Sequence, residues 1–371
     1  MRHIWGLSPL FAFLFLSGAS SCSAPDRTDK TVRLGHDRSH ATLAIDLRGG
    51  AITDFRLQET SVNPFTWYMT SEQMPANNRS GAPFQGHFLC LGRWGAPTDG
   101  EIRAGIPHNG EPGNSLWNVI RCEADTFLII GARGEKDGIA VERKIRFDPV
   151  NAVVRITDKV NNTYPIGRLF NIVQHATIGA PFLDKDTQIH TNAGCGFMQH
   201  FGYPDPSRHE YRFPDGIIDT LGQTIDLRRS DLADSYVSSH LFSDSIGWIT
   251  ASSPKHGLLL GYIWKTDEYP WLNLWHQTEN GIPCAKGLEF GTTGIGRPYT
   301  DLTAVDCRFH DVASYFFFDA QATVSKSFIG FLMPLPDRFQ GVGSIHLTPK
   351  GICLTETGSR QTRIIPTRLT L

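Results

Sequence analysis

Apolar residues recur at every second position over one stretch after another of this 371-residue chain. A polypeptide patterned in this way can bury those side chains only as strands of a sheet. Leu43, Ile45 and Leu47 alternate with Thr42, Ala44 and Asp46 ahead of Gly49-Gly50, which reads as a half-buried strand running into a turn. Val141, Arg143, Ile145 and Phe147 keep the same period. Beyond Asp148-Pro149 a second run sets Val154, Ile156, Asp158 and Val160 on one face and Val153, Arg155, Thr157 and Lys159 on the other, so the two runs predict a hairpin. Further β-rich runs cover 127–130, 247–251, 258–264, 315–318 and 328–333. No stretch of ten or more residues has helical spacing. Asp137-Gly138, Asp148-Pro149, Asn161-Asn162 and Asp215-Gly216 are turn signals between the runs. The pattern predicts an all-β sandwich in one domain spanning residues 31–371, and the 11% aromatic content fits it.

The first residues read as an address. Arg2 and His3 precede an apolar run from Leu7 to Leu16, followed by Ser17-Gly18-Ala19-Ser20-Ser21 and Cys22. The run is about half of the roughly twenty apolar residues that a spanning helix needs. Residues 1–21 are therefore expected to be an export signal and 22–30 a short tether. Small residues leading into Cys22 resemble the bacterial lipobox, so Cys22 is the candidate lipidation site, with ordinary cleavage near Ala24 as the alternative. The expected location is the periplasm or cell envelope, with membrane contact only through a lipid on Cys22.

Charge excludes one large class of partner. With 35 Lys+Arg against 37 Asp+Glu the net charge is -2, which gives nucleic acid no electrostatic footing. The cysteines beyond Cys22 are Cys90, Cys122, Cys195, Cys284, Cys307 and Cys353. They include no CxxC pair, and disulfides and buried thiols stay equally open. The 14 histidines form no HExxH and no compact ligand cluster, and neither GxSxG nor a P-loop occurs. No metal and no cofactor is expected.

What remains is a set of polar residues among glycines and aromatics: Arg93 in Gly92-Arg93-Trp94-Gly95, His108 ahead of Asn109-Gly110-Glu111, His175 in Gln174-His175-Ala176-Thr177, Asp234 ahead of Tyr236, and Glu289 in Gly287-Leu288-Glu289-Phe290-Gly291. Each alone has an ordinary explanation as a surface pair, a cap or an edge-strand residue.

Together, and in this order, they resemble the aldose 1-epimerase (galactose mutarotase)-like superfamily. Residues 49–55 resemble its early strand pair, and Asn63-Pro64-Phe65-Thr66-Trp67 the segment after it. Residues 141–162 are similar to the long hairpin before the second histidine, 225–228 to the stretch before the sugar-binding Asp, and 269–275 to the strand before the catalytic glutamate. The resemblance implies a β-supersandwich that binds a mono- or oligosaccharide on one sheet. It also implies Arg93, His108 and Asp234 as sugar-hydroxyl contacts, His175 as general acid and Glu289 as general base.

Chemistry supports that division, since opening a cyclic hemiacetal needs one proton removed from the anomeric hydroxyl and another delivered to the ring oxygen. Imidazole suits proton delivery near neutrality, and burial would strengthen Glu289 as a base. Trp94, Trp117, Trp271 and Trp275 offer flat apolar faces to a sugar. Three functions stay open: an anomer-interconverting isomerase, a carbohydrate-binding protein without chemistry, and a glycoside hydrolase or lyase for which Glu111 and Glu289 are the carboxylate pair. Glu289 and His175 facing each other across a sugar-sized gap is the geometry expected of the first.

Overall fold

The computed structural model describes residues 30–371 apart from Asp37, Asp337 and Arg360. The export signal, the tether and Cys22 lie outside the described residues. Ten antiparallel strands make the first sheet, in spatial order β1 (Thr31–Leu34), β2 (Ala41–Asp46), β3 (Ala51–Leu57), β4 (His87–Leu91), β10 (Ile172–Ile178), β20 (Ile282–Gly291), β19 (Trp271–Glu279), β16 (Tyr236–Leu241), β12 (Cys195–Met198) and β13 (Tyr211–Arg212). Eight make the second: β11 (Gln188–Thr191), β17 (Ile246–Ser253), β18 (Leu258–Lys265), β22 (Thr323–Pro334), β8 (Val153–Asn162), β7 (Ile139–Asp148), β6 (Phe127–Arg133) and β5 (Asn118–Glu123). Two short pairs, β14 (Asp215–Ile217) with β15 (Thr224–Asp226) and β9 (Arg168–Phe170) with β21 (Phe316–Phe318), lie in the connections. Among the described residues the α-helices are single turns, α1 (Asp99–Arg103) and α2 (Tyr299–Leu302), and none of these helices is long and apolar enough to cross a membrane.

The two large sheets pack face to face because each strand is apolar on one side. On β20 the inward residues Leu288 and Phe290 are fully buried, and Phe290 stacks on Trp264 of β18 with centroids 4.3 Å apart. The expected hairpin is β7 and β8, in register from Ile139↔Asn162 to Asp148↔Val153. A chain end made of β23 (Val342–Thr348), β24 (Gly351–Glu356) and β25 (Thr362–Pro366) lays Val342, Ile345, Ile352 and Leu354 against Trp248, Leu259 and Phe331 on the far side of the second sheet. Two turn signals are corrected: Asp215-Gly216 lies inside β14, paired with Asp226 and Ile225, and Asn161-Asn162 forms the end of β8, paired with Ala140 and Ile139. Cys90, Cys195, Cys284, Cys307 and Cys353 are free thiols.

A polar group is buried between the large sheets. Arg143 and Asp158 face each other across β7 and β8, both fully buried, with Nε donating to Oδ1 at 2.7 Å and Nη2 to Oδ2 at 2.8 Å. Gln174 of β10 joins them, accepting from Arg143 Nη2 at 3.0 Å and donating to Asp158 Oδ2 at 2.8 Å. Paired and hydrogen-bonded in this way, the two charges avoid most of the cost of leaving water. Gln174 thereby ties the position of β10 to the opposite sheet.

Candidate functional site

Antiparallel register lines up one row of side chains across six strands: Phe88, His175, Glu289, Asn273, Ser239 and Phe197 stand opposite one another in turn. Residues directly opposite point to the same side, so the row lies on one face. Their sequence neighbours Gln174, Leu288, Phe290 and Leu274 fill the interior, which puts the row on the face turned away from the second sheet.

At the centre His175 Nε2 and Glu289 Oε1 are 3.1 Å apart, in direct contact with no sugar-sized gap between them. His175 Nδ1 is held by Thr177 Oγ1 at 2.9 Å. The imidazole is stacked on Phe88, with centroids 4.1 Å apart, and edge-on to Trp275. Burial in this aromatic setting lowers its pKa to about 3. Burial pushes the Glu289 carboxyl well above the usual carboxylate range, against a smaller lowering by the Trp94 indole N–H beside it. Both effects favour the uncharged partners, with one proton available to the pair. Glu289 Oε2 is buried and has no hydrogen-bond partner, and an unpaired buried acceptor is costly unless something else meets it.

His108 lies near His175 and Arg93 lies near His108, on two loops zipped together. Leu91 N donates to Asn109 O at 3.0 Å, Asn109 N to Gly95 O at 3.1 Å, and Gly95 N to Asn109 Oδ1 at 2.7 Å. Gly110 makes the close approach possible, since with its φ of 86° a Cβ there would sit 1.7 Å from Leu91 O. His108 is pinned through its backbone by the buried Asn78 side chain. Its pKa is lowered by burial and then by the neighbouring Arg93. Arg93 is 3% exposed and donates Nη1 to Glu101 Oε2 at 2.5 Å, while its Nε and Nη2 are buried without partners. Glu101 also closes the capping box of α1 with Thr98. Although burial opposes it, Arg93 holds the Glu101 carboxyl below its ordinary value.

Beyond Glu289 the row is a hydrogen-bonded chain. Gln199 Nε2 donates to Ser239 Oγ at 2.7 Å, Ser239 Oγ to Asn273 Oδ1 at 2.7 Å, and Asn273 Nδ2 to Thr293 O at 3.0 Å. Half-buried Trp67 and Trp275 pack edge to face at 5.3 Å beside His175.

Arg93, His108, His175 and Glu289 are thus brought into one neighbourhood. Asp234 is exposed in the turn before β16, five residues ahead of Ser239, which is roughly 17 Å of strand. Glu111 is engaged elsewhere, as Oε2 accepts from Lys136 N at 2.8 Å and Asp137 N at 3.0 Å. Of the four tryptophans, Trp94 and Trp275 border the pair. Trp117 is buried in the core with Nε1 donating to Pro112 O, and Trp271 is buried with Nε1 donating to Ala313 O. Trp67, Gln199, Ser239 and Asn273 escaped the sequence reading. The alternation Trp271-x-Asn273-x-Trp275 was the available signal for Asn273, since it places a polar residue between two aromatics on one face.

No family model matches the chain, and no curated protein matches it. Solved structures do. A galactose mutarotase-like protein from Clostridium acetobutylicum superposes with a TM-score of 0.60 at 12% identity, covering 82% of this chain and 95% of that one. A galactose mutarotase related enzyme from Lactobacillus acidophilus gives 0.58 at 11% identity, covering 83% and 98%. A candidate aldose 1-epimerase from Escherichia coli K12 gives 0.57 at 11% identity, covering 82% and 99%. At these identities the likeness is one of fold: this chain has the all-β, galactose mutarotase-like fold.

Proposed function

We propose that this protein is an aldose 1-epimerase-like isomerase that interconverts the anomers of a sugar by opening and reclosing its ring. The observation that carries the reading is the buried His175–Glu289 contact of 3.1 Å, with Glu289 Oε2 left unpaired. The anomeric oxygen and the ring oxygen share one carbon, so an acid and a base that touch each other can serve both. The neutral resting pair becomes reactive when its proton crosses the existing contact from Glu289 to His175 Nε2. Glu289 then takes the proton of the anomeric hydroxyl, the bond from C1 to the ring oxygen breaks, and the ring oxygen receives the proton of His175. Rotation about C1–C2 and closure run the same transfers in reverse, so no proton is gained or lost. Glu289 is 1% and His175 8% exposed. Sugar contact therefore requires Trp94 to give way, its indole N–H on Glu289 being replaced by the sugar's O–H. Arg93 and His108 are assigned the remaining hydroxyls, and Trp67 with Trp275 the apolar ring face. Asn273 and Ser239 stand nearer the pair than Asp234 and are preferred to it as hydroxyl contacts.

Hydrolysis has less support, because the Glu111 carboxylate is engaged by the Lys136 and Asp137 amides. A binding protein without chemistry is the competing outcome. Proton NMR of freshly dissolved α-anomers of several aldoses separates the two. Acceleration of anomer exchange that disappears in Glu289→Gln supports the isomerase, whereas line broadening without acceleration indicates binding alone. Export and lipidation of Cys22 are part of the proposal, and a Cys22→Ser protein that still partitions with membranes would remove the anchor.

A further inference from the structure

Three side chains that play no part in the proposed chemistry converge at the far edge of the site sheet. Cys195 opens β12, Glu210 ends the short 3-10 turn before β13, and His310 lies in the loop 306–312. One potential ligand atom from each lies within 4.8 Å of the other two, and they are the one such group of three or more among the described residues. His310 Nε2 and Glu210 Oε2 are 3.0 Å apart, and Arg212 Nη1 donates to Cys195 Sγ at 3.0 Å.

Each ligand is presented from an anchored segment. Cys195 is paired in register with Arg212. His310 follows Phe309, which is fully buried against Phe197 and Trp271 with centroids 5.1 and 6.2 Å away. His310 and Asp311 take φ of 45° and 62° in a loop closed by a bridge between Phe309 and Val312. That left-handed backbone is disfavoured for residues with a side chain, and here the buried Phe309 holds the loop.

We propose that Cys195, Glu210 and His310 bind a divalent transition-metal ion of the zinc class, which ties the loop 306–312 to the edge of the site sheet. A thiolate, an imidazole and a carboxylate are the donor set that selects a borderline-soft ion over magnesium or calcium. Metal–ligand distances of about 2.0–2.3 Å require the three atoms to draw together by about 1 Å. The exposed His310 and half-buried Glu210 can make that movement by side-chain rotation. Binding displaces the thiol proton, which leaves to solvent, and frees the exposed Arg212 guanidinium to turn outward. A water completes four-coordination. Cys195 lies two residues along β12 from Phe197, and Phe197 stands three strands from Glu289. At about 4.8 Å per strand the ion is remote from the proton transfers and acts on the wall formed by Phe309 and Trp271.

The test uses the full chain, stripped with chelator and re-equilibrated with Zn2+ or Co2+. One ion per chain should survive gel filtration, and the Co2+ form should show a thiolate-to-metal charge-transfer band in the near ultraviolet. Cys195→Ser should abolish that band, Cys284→Ser should keep it, and His310→Ala should weaken binding by at least about tenfold. Circular dichroism confirms that the variants are folded. No retained metal, a Co2+ spectrum without the thiolate band, or an unchanged band in Cys195→Ser would each overturn the proposal and leave only an ion pair between His310 and Glu210. Anomer exchange is measured separately, and its loss or absence does not bear on the metal result.

Discussion

Glu289 and His175 face each other on neighbouring strands, joined at 3.1 Å through Oε1 and Nε2, and the second carboxylate oxygen is left without a partner. A pair buried this deeply holds its proton by its surroundings more than by the intrinsic basicity of either group.

The pH profile of anomer exchange should be a broad plateau. Burial lowers His175 to about 3 and raises Glu289. The pair therefore gains a second proton only in acid and loses its single proton only above the usual carboxylate range. Plotted as kcat/KM, the acid limb should fall well below the ordinary histidine value of about 6.5. An inflection close to 6.5 would show that His175 titrates as an exposed imidazole and would sink the paired mechanism.

Arg93→Lys should weaken sugar binding by about tenfold or more, since a lysine keeps the charge beside Glu101 but cannot supply both unpaired donors. Titration calorimetry together with thermal unfolding checks this. A fall in Tm with an unchanged Kd would reduce Arg93 to a structural partner of α1.

Lys286 is fully buried on the inner face of β20, donating Nζ to Arg229 O at 2.6 Å, and burial lowers its pKa to about 7. The unfolded lysine titrates near 10.4, so between about pH 7 and 10.4 the unfolded chain carries the extra proton. Stability contributed at this position therefore rises with pH across that window, and the penalty is complete below it. Lys286→Met should be more stable than the parent at pH 6, by on the order of a few kcal/mol, and the difference should shrink toward pH 10. A difference that is constant with pH in urea unfolding would refute the assignment.

The fold was readable because alternation is local. Val141 to Phe147 and Val154 to Val160 carry their inward faces in their own order, and β7 and β8 follow. Cross-strand register is not local, and the site depends on it. His175 and Glu289 stood out by residue type and Asn273 was signalled by its place between Trp271 and Trp275, but nothing near residue 273 or 239 reveals which strands stand beside them, so the shared row was hidden. Trp117 and Trp271 carry the same aromatic surface as Trp275. They are lost to the interior because Pro112 and Ala313, on separate connections, accept their indole N–H groups. The Cys195, Glu210 and His310 group draws on positions 115 residues apart in the chain, which no spacing rule for metal ligands spans.

Strand β10 carries Gln174 toward Arg143 and Asp158 and the next residue, His175, toward Glu289. One peptide unit separates the hydrogen bonds that hold the sheets together from the imidazole to which the proposal assigns proton transfer. Selection for turnover and selection for thermal robustness therefore act on the same few ångströms of backbone. A library varied at Arg143, Asp158 and Gln174 should yield melting temperature and catalytic rate as correlated traits, and an engineer who wants one without the other must leave this strand alone.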